Sequence, residues 1–335
     1  MAGRPIAVFA MHPVVMEQIV RPDHIERLQR CCALPRQEAV RHYEQLTEFA
    51  PQIEILITSW GCAPVTQDVL ERLPKLKLIA HLAGSVKGFV DGSAWARGIQ
   101  VTNAVAANAV PVAEYTLAAI LFANKRVLQL RDFYRRHHEN RAPWTKEAPN
   151  VGNYRKRVGI IGASSVGRKL LELLAPFDLE RLLYDPYVSA DEARALGATR
   201  VDLPTLLRHA DVVTLHAPLL AETHHMLGAR EFAQMQDGAT FINTARGALV
   251  DQAALIRELQ TGRIEAILDT TEPELLPADS PLYRLPNVFL TPHIAGSLGS
   301  EVQRLADYIV TEIESFVAQR PLRFAVKFDS LAQLA

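Results

Sequence analysis

Cysteine is scarce: Cys31, Cys32 and Cys62 are the only 3 in 335 residues. The adjacent Cys31 and Cys32 are badly placed to bridge one another, and no C-x-x-C pair offers a zinc site. A disulfide-stapled secreted fold is therefore excluded, and reduced thiols in a cytoplasmic protein are the expectation. Aromatic residues make up only 7% of the chain, and Trp60, Trp95 and Trp144 are scattered rather than spaced as a platform for stacked bases. An excess of one charge is also lacking; the formal net charge is −1, so no global field draws nucleic acid or an anionic membrane. No uninterrupted apolar run reaches the ~18 residues of a membrane span. The opening Met1-Ala2-Gly3-Arg4-Pro5 has neither an apolar signal core nor a small-residue cleavage site. The pairs His137-His138 and His224-His225 lack a third ligand at a sensible spacing, and H-E-x-x-H does not occur, so no metal is expected.

A hydrophobic content of 49% with 22% charged residues suits a soluble globular protein with sizeable cores. At ~150 residues per domain the length predicts two domains. The first hundred residues alternate short apolar runs (Ile6–Ala10, Ile53–Thr58, Leu76–His81 and a weaker Ile99–Thr102) with amphipathic stretches such as Val65–Leu73. Ala109–Arg126 predicts one long helix, with Pro111 in its first turn and Lys125 and Arg126 in its last. A helix extension and a long connecting loop are expected over Arg131–Arg157; its basic clusters read as a solvated face or a subunit contact, and Tyr134 and Trp144 are candidates to reach the partner's active site across a dimer. From Arg157 six strand candidates follow, 157–161, 181–185, 211–215, 239–243, 264–268 and 287–291, with helical spacers between them. A long helix over Ser300–Ala318 and a strand-like tail PLRFAVKFD complete the chain. This alternation predicts an α/β fold of two Rossmann-like or flavodoxin-like parallel-sheet domains.

The strand RVGII runs into Gly162-Ala163-Ser164-Ser165-Val166-Gly167 at the start of a helix. This is the strand–turn–helix setting of G-x-G-x-x-G, in which the helix N-terminus meets a pyrophosphate. Ser164 stands at the middle glycine, where a Cβ and hydroxyl would crowd the phosphate unless the hydroxyl donates to it. Asp185 ends the next strand, where a carboxylate accepts from the adenosine ribose, and no Arg or Lys in 185–192 greets a 2′-phosphate. NAD is expected over NADP.

Three later strand ends carry the polar residues of FINTARG, LDTTEPE and FLTPHIAG, namely Arg246, the acids Asp269, Glu272 and Glu274, and His293. Singly, each has an ordinary reading as a surface ion pair, a solvated loop residue or a turn histidine. Together they suit hydride transfer to a 2-oxo acid. Arg grips the carboxylate with a bidentate fork. His delivers the proton, and a carboxylate on its other ring nitrogen fixes the tautomer.

From about Leu76 to Arg304 the chain resembles the D-isomer-specific 2-hydroxyacid dehydrogenases, through VPVAEYTL, VGIIGxxxVG, LLYDP, NTARGALVD, LDTTEPELLPADSPLYRLPNV and LPNVFLTPHIAG. The resemblance implies Arg246 as substrate-binding arginine, His293 as acid/base and Glu274 as its partner. It places Gly162, Ser164, Ser165, Val166, Gly167, Asp185, His216, Pro218, Thr223, Thr244, Ala245, Asp269 and Gly296 along NAD, with Asp269 facing the carboxamide. The loop Ala83–Asp91 departs from the family's G-x-G-x-D, but its backbone around Ser85 and Val86 would hold the substrate carboxylate. Lys87 in that loop adds a positive charge that is either simply solvated or paired with a second anionic group of the substrate, a carboxylate, phosphonate or phosphate, which makes a dehydrogenase for a dianionic, phosphonate-bearing hydroxy acid one alternative. The implied architecture is a substrate domain of 1–103 and 297–335, into which an NAD-binding domain of 104–296 is inserted. Hinges near 103 and 297 would close on binding, and the long helix would serve a homodimer. A non-catalytic NAD-sensing dimer is the alternative of a different class.

Overall fold

The computed structural model describes residues 3–137 and 150–333, so His138 and Trp144 lie outside the described residues. Two compact units emerge. One holds the residues up to Asn108 and those from Ser297 onward, the other Ala109–Gly296.

In the first unit β1 (Ile6–Ala10), β2 (Ile53–Thr58), β3 (Leu78–His81) and β4 (Gln100–Asn103) pair in that order, all parallel. Their nearly unbroken burial requires cover on both faces. One face packs on helices Pro22–Cys31 and Val302–Val317 through Leu28, Leu305, Ile309 and Ile313; the other packs on Leu70, Leu73 and Val90. The buried Glu312 accepts from Thr102 Oγ1 at 3.1 Å and from the amides of Arg323 and Phe324 at 3.1 and 2.8 Å, which ties the chain's end to β4. The tail is thus not a strand. Ala325 makes a single antiparallel bridge to Thr102, and a 3₁₀ turn, Phe328–Gln333, follows.

The second unit is a seven-stranded parallel sheet ordered β11-β10-β9-β8-β5-β6-β7. Its members are β5 (Arg157–Ile161), β6 (Glu180–Tyr184), β7 (Thr199–Arg200), β8 (Val212–Leu215), β9 (Thr240–Asn243), β10 (Glu265–Leu268) and β11 (Val288–Leu290). The six expected strands are present within a residue or two, and β7 is an addition of two exposed residues at the edge. Alternation assigns the side chains: Val213, Phe241, Ala266 and Leu268 face one core, Val212, Ile242 and Ile267 the other. The order reverses between β5 and β8, the crevice where doubly wound sheets bind ligands.

The long helix runs Val105–Asn124 rather than 109–126, so Pro111 lies inside it. Two residues past its end, Arg126, with φ of 48°, leads into a second helix, Val127–Arg136. Arg126 donates to Gly238 O at 2.9 Å and meets Glu265 at 3.4 Å, so it serves as a brace rather than as a last-turn charge. At 20 residues and a hydropathy of 1.5 this helix is long and apolar enough to cross a bilayer, against the reading from unbroken runs. Ala113, Ala119 and Ile120 are instead part of the core over β5 and β9.

Candidate active site

All the predicted residues of the second unit stand at the carboxyl ends of its strands or just beyond. Across β6, β5, β8, β9, β10 and β11 the sequence is Asp185, the 162–167 turn, His216 to Pro218, Thr244 to Arg246, Asp269 to Glu274, and His293.

Gly162 has φ +96°, and a Cβ there would lie 2.6 Å from Ala217 N. A Cβ on Gly167 would overlap Gly162 O. Only glycine lets the turn and the helix Ser165–Leu174 close on β5 and β8 in this way. Ser164 caps that helix, its Oγ accepting from Gly167 N at 3.4 Å. Its oxygen therefore serves the helix, the ordinary use of an N-cap serine, while the hydroxyl proton remains to be donated. Ser165 is exposed and Val166 half-buried in the first turn. Asp185 accepts from Ala163 N at 2.7 Å and Tyr187 N at 2.8 Å, which locks the end of β6 to the turn. His216 is 3% exposed; its Nε2 bonds Thr214 Oγ1 at 2.9 Å, and its Nδ1 has no partner among the described residues. Burial pushes this imidazole down to about 3, so it is neutral. A glycine-fitted turn, a capped helix N-terminus and a strand-end carboxylate beside it fit a dinucleotide. Thr223 has a different local task. Its hydroxyl donates to Pro218 O at 2.6 Å and accepts from Leu220 N at 2.8 Å. Thr244 is buried, 3.0 Å from Thr116 Oγ1 on the long helix, so its hydroxyl is turned inward.

Arg246 is exposed and its Nη1 donates to Ala245 O at 2.7 Å. Two groups shape its turn. The buried Asn243 donates to Arg246 O at 3.0 Å and accepts from Ala245 N at 3.0 Å. Gly247 lies so close to the Thr271–Glu272 backbone that any Cβ would overlap it. Neither Asn243 nor Gly247 was singled out in the sequence, although both lie in the quoted NTARG block.

Asp269 is 2% exposed and spends its carboxylate on the neighbouring loop: Thr291 Oγ1 donates at 2.6 Å, Ile294 N at 2.8 Å and Ala295 N at 2.9 Å. Three donors, two of them backbone amides, thus converge on this one buried carboxylate. His293 N donates to Asp269 O at 2.9 Å, and His293 has φ 55°, so the ring swings out at the turn. That ring is exposed, and its Nδ1 is hydrogen-bonded to Glu274 Oε1. Thr271 Oγ1 donates to Pro273 O at 2.9 Å and Glu274 O at 3.2 Å, which curls the 271–274 turn toward the histidine. Gly296 is the last residue of this unit.

In the first unit, Ser85 Oγ accepts from Lys87 N at 3.2 Å, Val86 is fully buried, and the Lys87 side chain is exposed. Val86 thus anchors the loop in its core, with Ser85 and Lys87 on either side of it.

A parallel sheet with this turn and an Arg, Glu and His on successive strand ends defines a pyridine-nucleotide dehydrogenase domain. Comparison names the family. Residues 117–295 match the NAD binding domain of D-isomer specific 2-hydroxyacid dehydrogenases. The chain is 35% identical over 271 residues to the D-3-phosphoglycerate dehydrogenase of Methanocaldococcus jannaschii, covering 80% of this chain and 50% of that one. It is 33% identical over 255 residues to the glyoxylate reductase of Korarchaeum cryptofilum, covering 76% of each. A phosphoglycerate oxidoreductase from Rhizobium etli shares the fold at a TM-score of 0.84 with 22% identity, covering 98% and 100% of the two chains. The chain belongs to the D-isomer specific 2-hydroxyacid dehydrogenase family, and its second unit is the family's NAD-binding domain. It spans about half the length of the phosphoglycerate dehydrogenases it matches.

Proposed function

We propose that the protein interconverts a D-2-hydroxy acid and its 2-oxo acid with NAD, as a cytoplasmic homodimer. The observation that carries the reading is the Glu274–His293 hydrogen bond on the loop edge that also carries Arg246. Held along the 162–167 turn and Asp185, a bound nicotinamide cofactor would supply the hydride that C2 of the oxo acid accepts. Glu274 on Nδ1 leaves Nε2 of His293 as the position from which the proton passes to the carbonyl oxygen. Arg246 binds the carboxylate and stabilises charge as the alkoxide forms. Asp269 fixes the loop on which His293 sits, and its remaining lone pairs suit the nicotinamide carboxamide. The amides around Ser85 and Val86 take the substrate carboxylate. Exposed Phe122 on the long helix and Phe289 on edge strand β11, 55% and 38% accessible, support a subunit contact on this unit.

Relatives named for phosphoglycerate and for glyoxylate bracket the substrate. The exposed Lys87 favours a dianionic one. The test is NADH oxidation over glyoxylate, pyruvate, hydroxypyruvate, branched and aromatic 2-oxo acids and phosphonopyruvate. Turnover of one class supports the reading; NADH binding without turnover of any supports a sensor instead.

A further inference from the structure

We infer that His224, His225 and Glu272 form a binding site for a divalent transition cation. The two histidines lack a third ligand in the local sequence, and the fold supplies it from 47 residues away: Glu272 Oε2 lies 3.1 Å from His225 Nε2. One ligand atom from each of the three residues lies within 4.8 Å of the others.

Three segments build the cluster. His225 N donates to Ala248 O at 2.9 Å and Leu227 N to Leu249 O at 3.2 Å, which fastens the histidine segment to the turn after Arg246. Gly247 presses that turn onto the Thr271–Glu272 backbone. Glu272 N donates to Gln252 Oε1 at 3.0 Å. The φ of 51° at His225 folds its ring back over His224, with ring centroids 3.9 Å apart. Adjacent histidines, which an extended chain would splay apart, thus share one side with a carboxylate.

The chemistry suits a borderline cation. Imidazole nitrogen and carboxylate oxygen bind zinc, nickel and copper, whereas magnesium and calcium want oxygen alone. With bonds of ~2.0–2.1 Å, the ligand atoms of a tetrahedral site stand roughly 3.3 Å apart. The His225–Glu272 pair already has that spacing, and a rotation of the exposed His224 ring completes three ligands, with the fourth position left to water. The other acid–histidine cluster of the described residues, Asp23, His24 and Asp307, is unsuited. The buried His24 uses Nδ1 to accept from Arg21 N at 3.0 Å and Nε2 to meet Asp307 at 2.9 Å, so both ring nitrogens are engaged. Glu272 is two residues from Glu274, so a bound cation ties the 223–227 segment to the turn that holds His293.

Isothermal titration of the full chain with Ni²⁺, a cation that imidazole suits as a ligand, is the test. One saturable site is expected in the wild type. His224→Ala, Glu272→Gln and His225→Asn, which tolerates the left-handed backbone, should each weaken it at least tenfold, while His24→Gln leaves it unchanged. Ni²⁺ should also raise the melting temperature of the wild type and not of the three variants, whose metal-free melting checks their folding. No uptake short of millimolar Ni²⁺, or equal uptake by folded variants, overturns the site.

Discussion

At the carboxyl end of β3, His81 is 5% exposed, with Nδ1 on Thr58 Oγ1 at 2.9 Å and its ring against Phe89. Burial pushes it down to about 4, and His216 beyond β8 is driven lower for the same reason. Just past β11, by contrast, His293 stands exposed on a left-handed residue with a carboxylate on Nδ1. The same side chain at equivalent ends of parallel strands is thus a buried, neutral packing group in two places and, on the proposed reading, an exposed acid–base group in the third. What differs is the neighbour: His81 and His216 each meet a threonine hydroxyl, whereas His293 meets the Glu274 carboxylate. The backbone turn decides which partner is reached.

The sharpest break of that comparison is the same substitution at two of these positions. His293→Asn should lower kcat ~10²–10⁴-fold in the steady-state assay and leave the melting curve in place. His81→Asn should lower the melting temperature and leave kcat near wild type once folded. Comparable losses of turnover in both would remove the distinction. Next comes Arg246→Ala, expected to reduce kcat/KM ~10²-fold or more, as orientation and charge stabilisation are lost together; a change confined to KM would reassign it to uniform binding. Asp269→Asn keeps the shape but replaces an acceptor with a donor facing the loop amides, at a cost of roughly 1–3 kcal/mol in chemical denaturation. The buried histidines also predict a pH dependence. Their native values lie below the unfolded value near 6.5, so the unfolded chain binds the extra protons. Stability should be full above about pH 6.5 and fall as pH drops toward 4, with a shallower slope in His81→Asn. Smallest is Lys87→Ala, which should lower kcat/KM on dianionic 2-oxo acids more than on monoanionic ones; equal losses, or none, would discount a second anionic group.

Much of the second unit was legible because its strands are short, apolar and regularly spaced, and because strand ends in such sheets carry the chemistry. Type and position left Asp269, Glu272 and Glu274 open as partners of His293; the family resemblance implied Glu274, and the hydrogen bond agrees. What escaped the sequence depends on contacts distant along the chain. β7 has two exposed residues and no apolar signal. The strand-like tail is claimed by Glu312, whose carboxylate takes the amides a strand would pair. Arg126 looks like a last-turn charge until Gly238 O and Glu265 are known to lie beside it. The inward Thr244 hydroxyl needs Thr116, 128 residues away.

The close seating of Gly247 on the Thr271–Glu272 backbone has a consequence for how this enzyme family member could change its diet. The turns bearing Arg246 and Glu274 are geared together, so remodelling either one drags the other and, on the proposed reading, disturbs turnover for every substrate at once. In the first unit Ser85 and Lys87 flank one buried anchor, Val86, so on the proposed reading substitutions there alter substrate preference one side chain at a time.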